Sequence, residues 1–209
     1  MNTALRRPLV PLALATALFL PGCSLGAPAE FEETDAPQGS EQAAAQTSAP
    51  DEEEDTSDTA EQSAEAAGID LAELGDPIAT VTVPAVVGED PEATMDVALY
   101  TLRRDGETLI LNGSFTVNSE DGEQEERQLF HYLGNHGWAP HLIDSANLTR
   151  HDVLASAPTT AMTPSQSLGF RPGQTFYVYA AFAAPPADVE SINVQLVDGA
   201  PMIVDVPIR

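Results

Sequence analysis

The 209-residue chain has no lysine; all eight of its basic side chains are arginine, set against 33 acidic ones for a formal net charge of −25. Without an amine side chain, Schiff-base catalysis, a P-loop and the Ser-x-x-Lys arrangement of penicillin-recognising enzymes are all excluded. The acid excess opposes phosphate backbones, so no nucleic-acid partner is expected. A single cysteine, Cys23, cannot form an internal disulfide or a cysteine-based metal cluster. Aromatic residues make up 6%, with one tryptophan, Trp138. The most apolar run, residues 9–20, is well short of the roughly 20 residues that a bilayer-spanning helix requires. No Gly-x-Ser-x-Gly elbow occurs.

What is present begins with a segment that has the layout of an export signal. Arg6 and Arg7 precede the apolar run, and Leu20-Pro21-Gly22-Cys23 closes it. An aliphatic residue three before a cysteine and a small residue directly before it resemble the lipobox of bacterial lipoproteins. The resemblance implies that residues 1–22 are a signal peptide, removed on export. Cys23 would then carry a diacyl group and become the first mature residue. Two acyl chains hold a protein on a bilayer stably, where one does so only marginally. The expected location is therefore the extracytoplasmic face of the cell membrane, with the membrane itself as a partner through the lipid. Arg6-Arg7 followed by Leu9-Val10 also resembles a twin-arginine signal, but Leu5 stands where that motif prefers Ser or Thr, so Sec export is expected. Abundant alanine and proline with arginine as the sole strong base resembles the bias of high-GC, actinobacterial genomes.

Residues 23–68 are expected to be a disordered linker. They are rich in Ala, Gln, Ser, Thr, Pro and acids, contain no basic residue, and have Phe31 as their only aromatic. Such a segment cannot bury enough apolar surface to offset its ordering entropy. A coil of this length has an end-to-end distance of roughly 35–40 Å, extended further by self-repulsion.

Residues 69–209 read as one domain with period-two patterning and turn punctuation. Strands are expected over 79–87, 95–102, 108–117, 128–133, 152–155, 175–183, 191–197 and 202–208. Asp105-Gly106 marks a hairpin, and Pro84 marks an edge or entry strand. The fold class expected from this pattern is all-β, an antiparallel two-sheet sandwich after a disordered acidic linker. Trp138-Ala-Pro140, Leu142-Ile143-Asp144, Asn147-Leu148, the stretch from Phe182 through Pro185-Pro186 to Asp188-Val189, and Asp205-Val206-Pro207-Ile208 together resemble a module of actinobacterial cell-surface proteins. That resemblance implies an immunoglobulin-like sandwich and carries no catalytic residue set.

Few residues stand out chemically. His131, His136 and His141 recur at intervals of five, with His151 beyond them. Imidazoles suit zinc or copper, yet a five-residue step along a strand reverses the face. Surface or hydrogen-bonding histidines are the plainer reading. Glu120, Asp121, Glu123, Glu125 and Glu126 offer oxygen ligands without EF-hand spacing; a solvated hairpin tip is expected. Trp138 is expected to anchor a core that has no disulfide. Arg103 and Arg104 are expected at a solvated tip. No cofactor is expected. The function expected is a non-catalytic binding or assembly module at the envelope, with an envelope protein or the cell wall as partner. Two alternatives remain: a metal-binding accessory lipoprotein using the histidines, and a cell-wall hydrolase.

Overall fold

Two antiparallel sheets pack face to face because each strand turns alternate apolar residues inward. The computed structural model describes residues 52–88, 90–120 and 125–209, all within one compact unit, Ser48–Arg209. The signal segment, Cys23 and the linker up to residue 51 lie outside the described residues. In chain order the elements are helix α1 (Glu52–Ala66) and strands β1 (Ala79–Pro84), β2 (Thr94–Asp105), β3 (Thr108–Asn118) and β4 (Arg127–Gln128). The helical turn α2 (Leu129–Tyr132) follows, then β5 (His141–Asp144), β6 (Thr149–Asp152), β7 (Ala155–Ser156), β8 (Thr159–Thr160), β9 (Gly169–Phe170), β10 (Thr175–Ala183), β11 (Ser191–Gln195) and β12 (Ile203–Pro207).

The first sheet has the order β1-β2-β3-β10 and the second β12-β11-β5-β6. The fold is thus the all-β, antiparallel two-sheet sandwich that the patterning predicts, in keeping with the immunoglobulin-like form that the resemblance implies. Leu109, Leu111, Phe115 and Val117 of β3 are fully buried, as are Phe176, Val178, Ala180 and Phe182 of β10. In β2, Met95, Val97 and Leu99 face the core; the register then shifts between Leu99 and Thr101, and the bulge returns Leu102 to the inner face. Gly113 sits inside β3 because a Cβ there would lie 2.7 Å from Ala98 O on the neighbouring strand.

The hairpin between β2 and β3 is present, with its turn one residue later than a centre at Asp105-Gly106. Asp105 pairs with Thr108, so the central residues are Gly106 and Glu107. Gly106 has φ 58° and is the only one of the two with positive φ, the type II′ rather than the type I′ pattern. Residues 128–133, expected as a strand, are β4 plus the turn of α2; Leu129 and Tyr132 are buried at helical spacing. β5 lies between the strands expected over 128–133 and 152–155, where the patterning predicts none.

The larger correction concerns the acidic stretch before residue 69. Its last part is helical over Glu52–Ala66, and Ser63, Ala64 and Ala67 are buried. Like charges disfavour this helix in isolation. A packing partner supplies what composition lacks, as tertiary contact usually does for marginal helices. α1 lies against β10, where the Tyr177 N–H donates to Ser63 Oγ at 3.0 Å, and the Asn112 amide reaches Ala67 O at 3.5 Å. No helix of the described residues is long and apolar enough to cross a membrane.

Candidate functional site

A concavity lies where β1 leaves the first sheet. It has a volume of about 560 Å³ and is walled by Val83, Pro84 and Val86, by residues 133–134 and 136–139, and by the turn 197–199. Its shape follows from local sequence. α2 ends in Leu133-Gly134-Asn135 with both Gly134 and Asn135 at positive φ, 69° and 65°. The Gly134 N–H bonds to His131 O and the Asn135 N–H to Phe130 O, the paired bonds of a Schellman cap. The cap reverses the chain, so His136 and Gly137 pass beside Val86 before Trp138 enters the core.

Trp138 is 4% exposed. Its Nε1–H donates to Leu196 O at 2.8 Å, and its ring meets Phe115 edge-on at 5.5 Å and 87°. An edge-to-face pair of this kind contributes about 0.5–1.5 kcal/mol beyond burial. The tryptophan is both the core anchor and one wall of the groove. Beneath α2, Tyr132 donates its hydroxyl to Phe170 O at 2.7 Å. Burial pushes this phenol up to about 12, with the Arg127 guanidinium opposing and the Glu126 carboxylate adding.

The structure separates the histidines. His131 is exposed on α2 with its ring edge-on to Phe130; His136 is exposed on the groove wall. His141 lies on β5 opposite Asp152, and His151 lies on β6 opposite Leu142, so these two face opposite sides of the second sheet. The His151 ring donates through Nδ1 to Ala183 O at 2.9 Å, tying β6 to the end of β10. Among the described residues no group of three His, Cys, Asp or Glu side chains is placed to hold a metal ion. His131, His136 and His141 therefore form no common centre.

The acidic loop is only partly described: Asp121 and Glu123 lie outside the described residues, while Glu120, Glu125 and Glu126 are exposed. Next to Glu120, the Ser119 hydroxyl donates to Asp90 Oδ2 at 2.6 Å. That bond, followed by the backbone N–H of Glu92, holds the Asp90 carboxyl below its usual range. At the β5–β6 tip, Asp144 accepts from the Asn147 amide at 2.7 Å and from the Ala146 and Asn147 backbone N–H groups. The side-chain bond from Asn147 is the main cause that lowers its carboxyl. This cage presents Leu148, 91% exposed and at φ 52°.

Arg104 is not part of a solvated tip. Its guanidinium donates to Pro185 O at 2.8 Å, closing the Pro185-Pro186 corner, whereas Arg103 is exposed beside Asp105. Tyr177 faces away from the core, 6.1 Å from Tyr100 and beside α1. Sequence reasoning missed the groove: only Leu133-Gly134-Asn135, a helix-stop signal, points to it, and the residues 128–133 before it read as a strand. No family model matches this chain, and no curated protein or solved structure matches it.

Proposed function

We propose that the protein is a membrane-tethered bacterial lipoprotein whose sandwich is a non-catalytic binding or assembly module at the cell envelope. The observation that carries this reading is the groove beside Trp138, a preformed apolar concavity mounted on packed strands. Concave, mainly apolar sites with a few polar groups at the rim are the usual form of a binding site. The tether rests on the likeness of Leu20-Pro21-Gly22-Cys23 to a lipobox. A domain held by two acyl chains samples partners along the envelope surface. A metal-carrier reading would need His131, His136 and His141 to converge, which they do not, and no observation favours a wall hydrolase.

The test is fractionation in the native host. Cys23→Ser is expected to move the protein from the membrane to soluble or unprocessed fractions; unchanged fractionation and size refute the tether. Release of soluble fragments from purified peptidoglycan would overturn the non-catalytic reading.

A further inference from the structure

β1 is the outermost strand of its sheet, and two hydrogen bonds set the phase of its ladder. The Ala85 N–H donates inward to Ala93 O at 2.9 Å, and the Val86 N–H donates outward to Tyr132 O at 3.0 Å. Antiparallel pairing alternates, so the N–H and C=O groups of Thr80 and Thr82, and the C=O of Pro84, point away from β2. All three residues are exposed, and among the described residues none of these outward groups has a backbone partner. Pro84 lacks an N–H at a position where the ladder needs none. Natural edges are blunted by charges, bulges or covering elements; β1 reads ATVTVP and carries no charge. The unpaired row leads straight to the groove, which Pro84 and Val86 help to wall.

We propose that β1 is a docking edge for an extended, basic peptide segment. The segment adds a strand beside Thr80, Thr82 and Pro84 and seats an apolar side chain against Trp138. This deepens the binding-module reading and rests on it. Strand addition draws affinity from main-chain hydrogen bonds and specificity from a side-chain pocket, and both parts are present in continuity. The charge of the partner follows from the surroundings. Asp198 lines the groove and Asp96 stands beside the edge, accepting from Thr82 Oγ1 at 2.6 Å, while no arginine lines the groove. On a chain of net charge −25, a cationic segment is steered in and an anionic one repelled. A second copy of this chain would bring the same carboxylates to the same edge, so self-pairing is opposed.

The experiment uses the full chain and a capped peptide alternating arginine and valine around one phenylalanine, with a glutamate-for-arginine counterpart as control. Amide exchange by NMR is expected to slow by at least about tenfold at Thr80 and Thr82 when the arginine peptide saturates the protein. The emission of the single tryptophan is expected to shift in the same titration. The affinity is expected to fall at least about tenfold for the glutamate peptide and for Thr82→Pro, and to persist in Thr82→Val. Binding that leaves Thr80 and Thr82 exchanging freely, or that survives Thr82→Pro, overturns the proposal; so does no binding of the arginine peptide at about 1 mM. The exchange measurement on the unsubstituted chain stands even if Thr82→Pro fails to fold. A dimeric mass with both amides protected before peptide is added overturns it in favour of self-pairing. Photo-crosslinkers at Thr80 and at Leu148 in native membranes separate the two levels. Adducts at Leu148 alone sink the β1 inference and leave the binding-module reading standing, whereas no adduct at either position counts against both.

Discussion

The two margins of the first sheet are built on opposite principles. Along β10 every outward N–H from Tyr177 to Ala181 is satisfied: Tyr177 by Ser63 Oγ of α1, Tyr179 by Thr163 Oγ1, and Ala181 by Ala161 O. A helix and a returning loop share that edge. Along β1 the corresponding groups of Thr80 and Thr82 face outward without a backbone partner among the described residues. A bare edge is an aggregation hazard. Here the acidic surroundings and the break at Pro84 limit pairing with further copies of the chain. The difference teaches that one margin is committed to the fold and the other is left open among the described residues.

Removing the platform common to both margins has the largest expected effect. Phe182, fully buried at the end of β10, should cost about 3–5 kcal/mol when changed to alanine, read from denaturant midpoints at unchanged m-value. Next comes a proline pair that tests the phase of β1. Val81 pairs with Val97 in the ladder, so Val81→Pro should cost at least about 1–3 kcal/mol by stranding a ladder carbonyl. Thr82→Pro removes only an outward N–H and the side-chain bond to Asp96, and should cost at least about 1 kcal/mol less than Val81→Pro. Equal losses from the two would show that the phase of the edge is wrong.

On the covered side, Ser63→Ala removes the partner of the Tyr177 N–H. A loss of about 1 kcal/mol is expected, with faster amide exchange at Tyr177 and none of that change at Thr80. A pH series sharpens the groove side. The Tyr132 phenol is raised in the folded state to about 12 from an ordinary value of 10.0. A group raised on folding stabilises fully below its unfolded value and loses that contribution as pH climbs through the folded one. Stability should therefore decline between about pH 10 and about pH 12, and Tyr132→Phe should lack that part of the decline. Equal slopes for the two proteins would place the phenol in water.

Much of the frame was legible in the chain. The alternation through Leu109, Leu111, Phe115 and Val117, and through Phe176, Val178, Ala180 and Phe182, is read directly as buried strand faces. β10 matches its expected bounds at both ends. Other features were not legible for identifiable reasons. β5 is a four-residue strand bounded by Pro140 and the Asp144 turn, too short for periodicity to separate it from a loop. α2 reads as a strand because Leu129 and Tyr132 are spaced for a single helical turn inside an apolar run. α1 reads as disordered because its composition carries the charge, while the residues that dock it are Ser63 and Ala64, with Ala67 just past its end, and these barely register in a hydropathy pattern.

The sequence by itself determined the all-β class, the inward face of each long strand, the strand-edge character of Pro84 and the resemblance to a lipobox at Cys23. These depend on local periodicity and covalent order. Tertiary structure alone decided which edge is covered, where His131, His136 and His141 end up, and that Trp138 serves both core and groove. Those outcomes depend on which residues meet across 14 to 114 positions of chain, as in the Thr82–Asp96 and Ser63–Tyr177 bonds, and local pattern carries no record of such meetings.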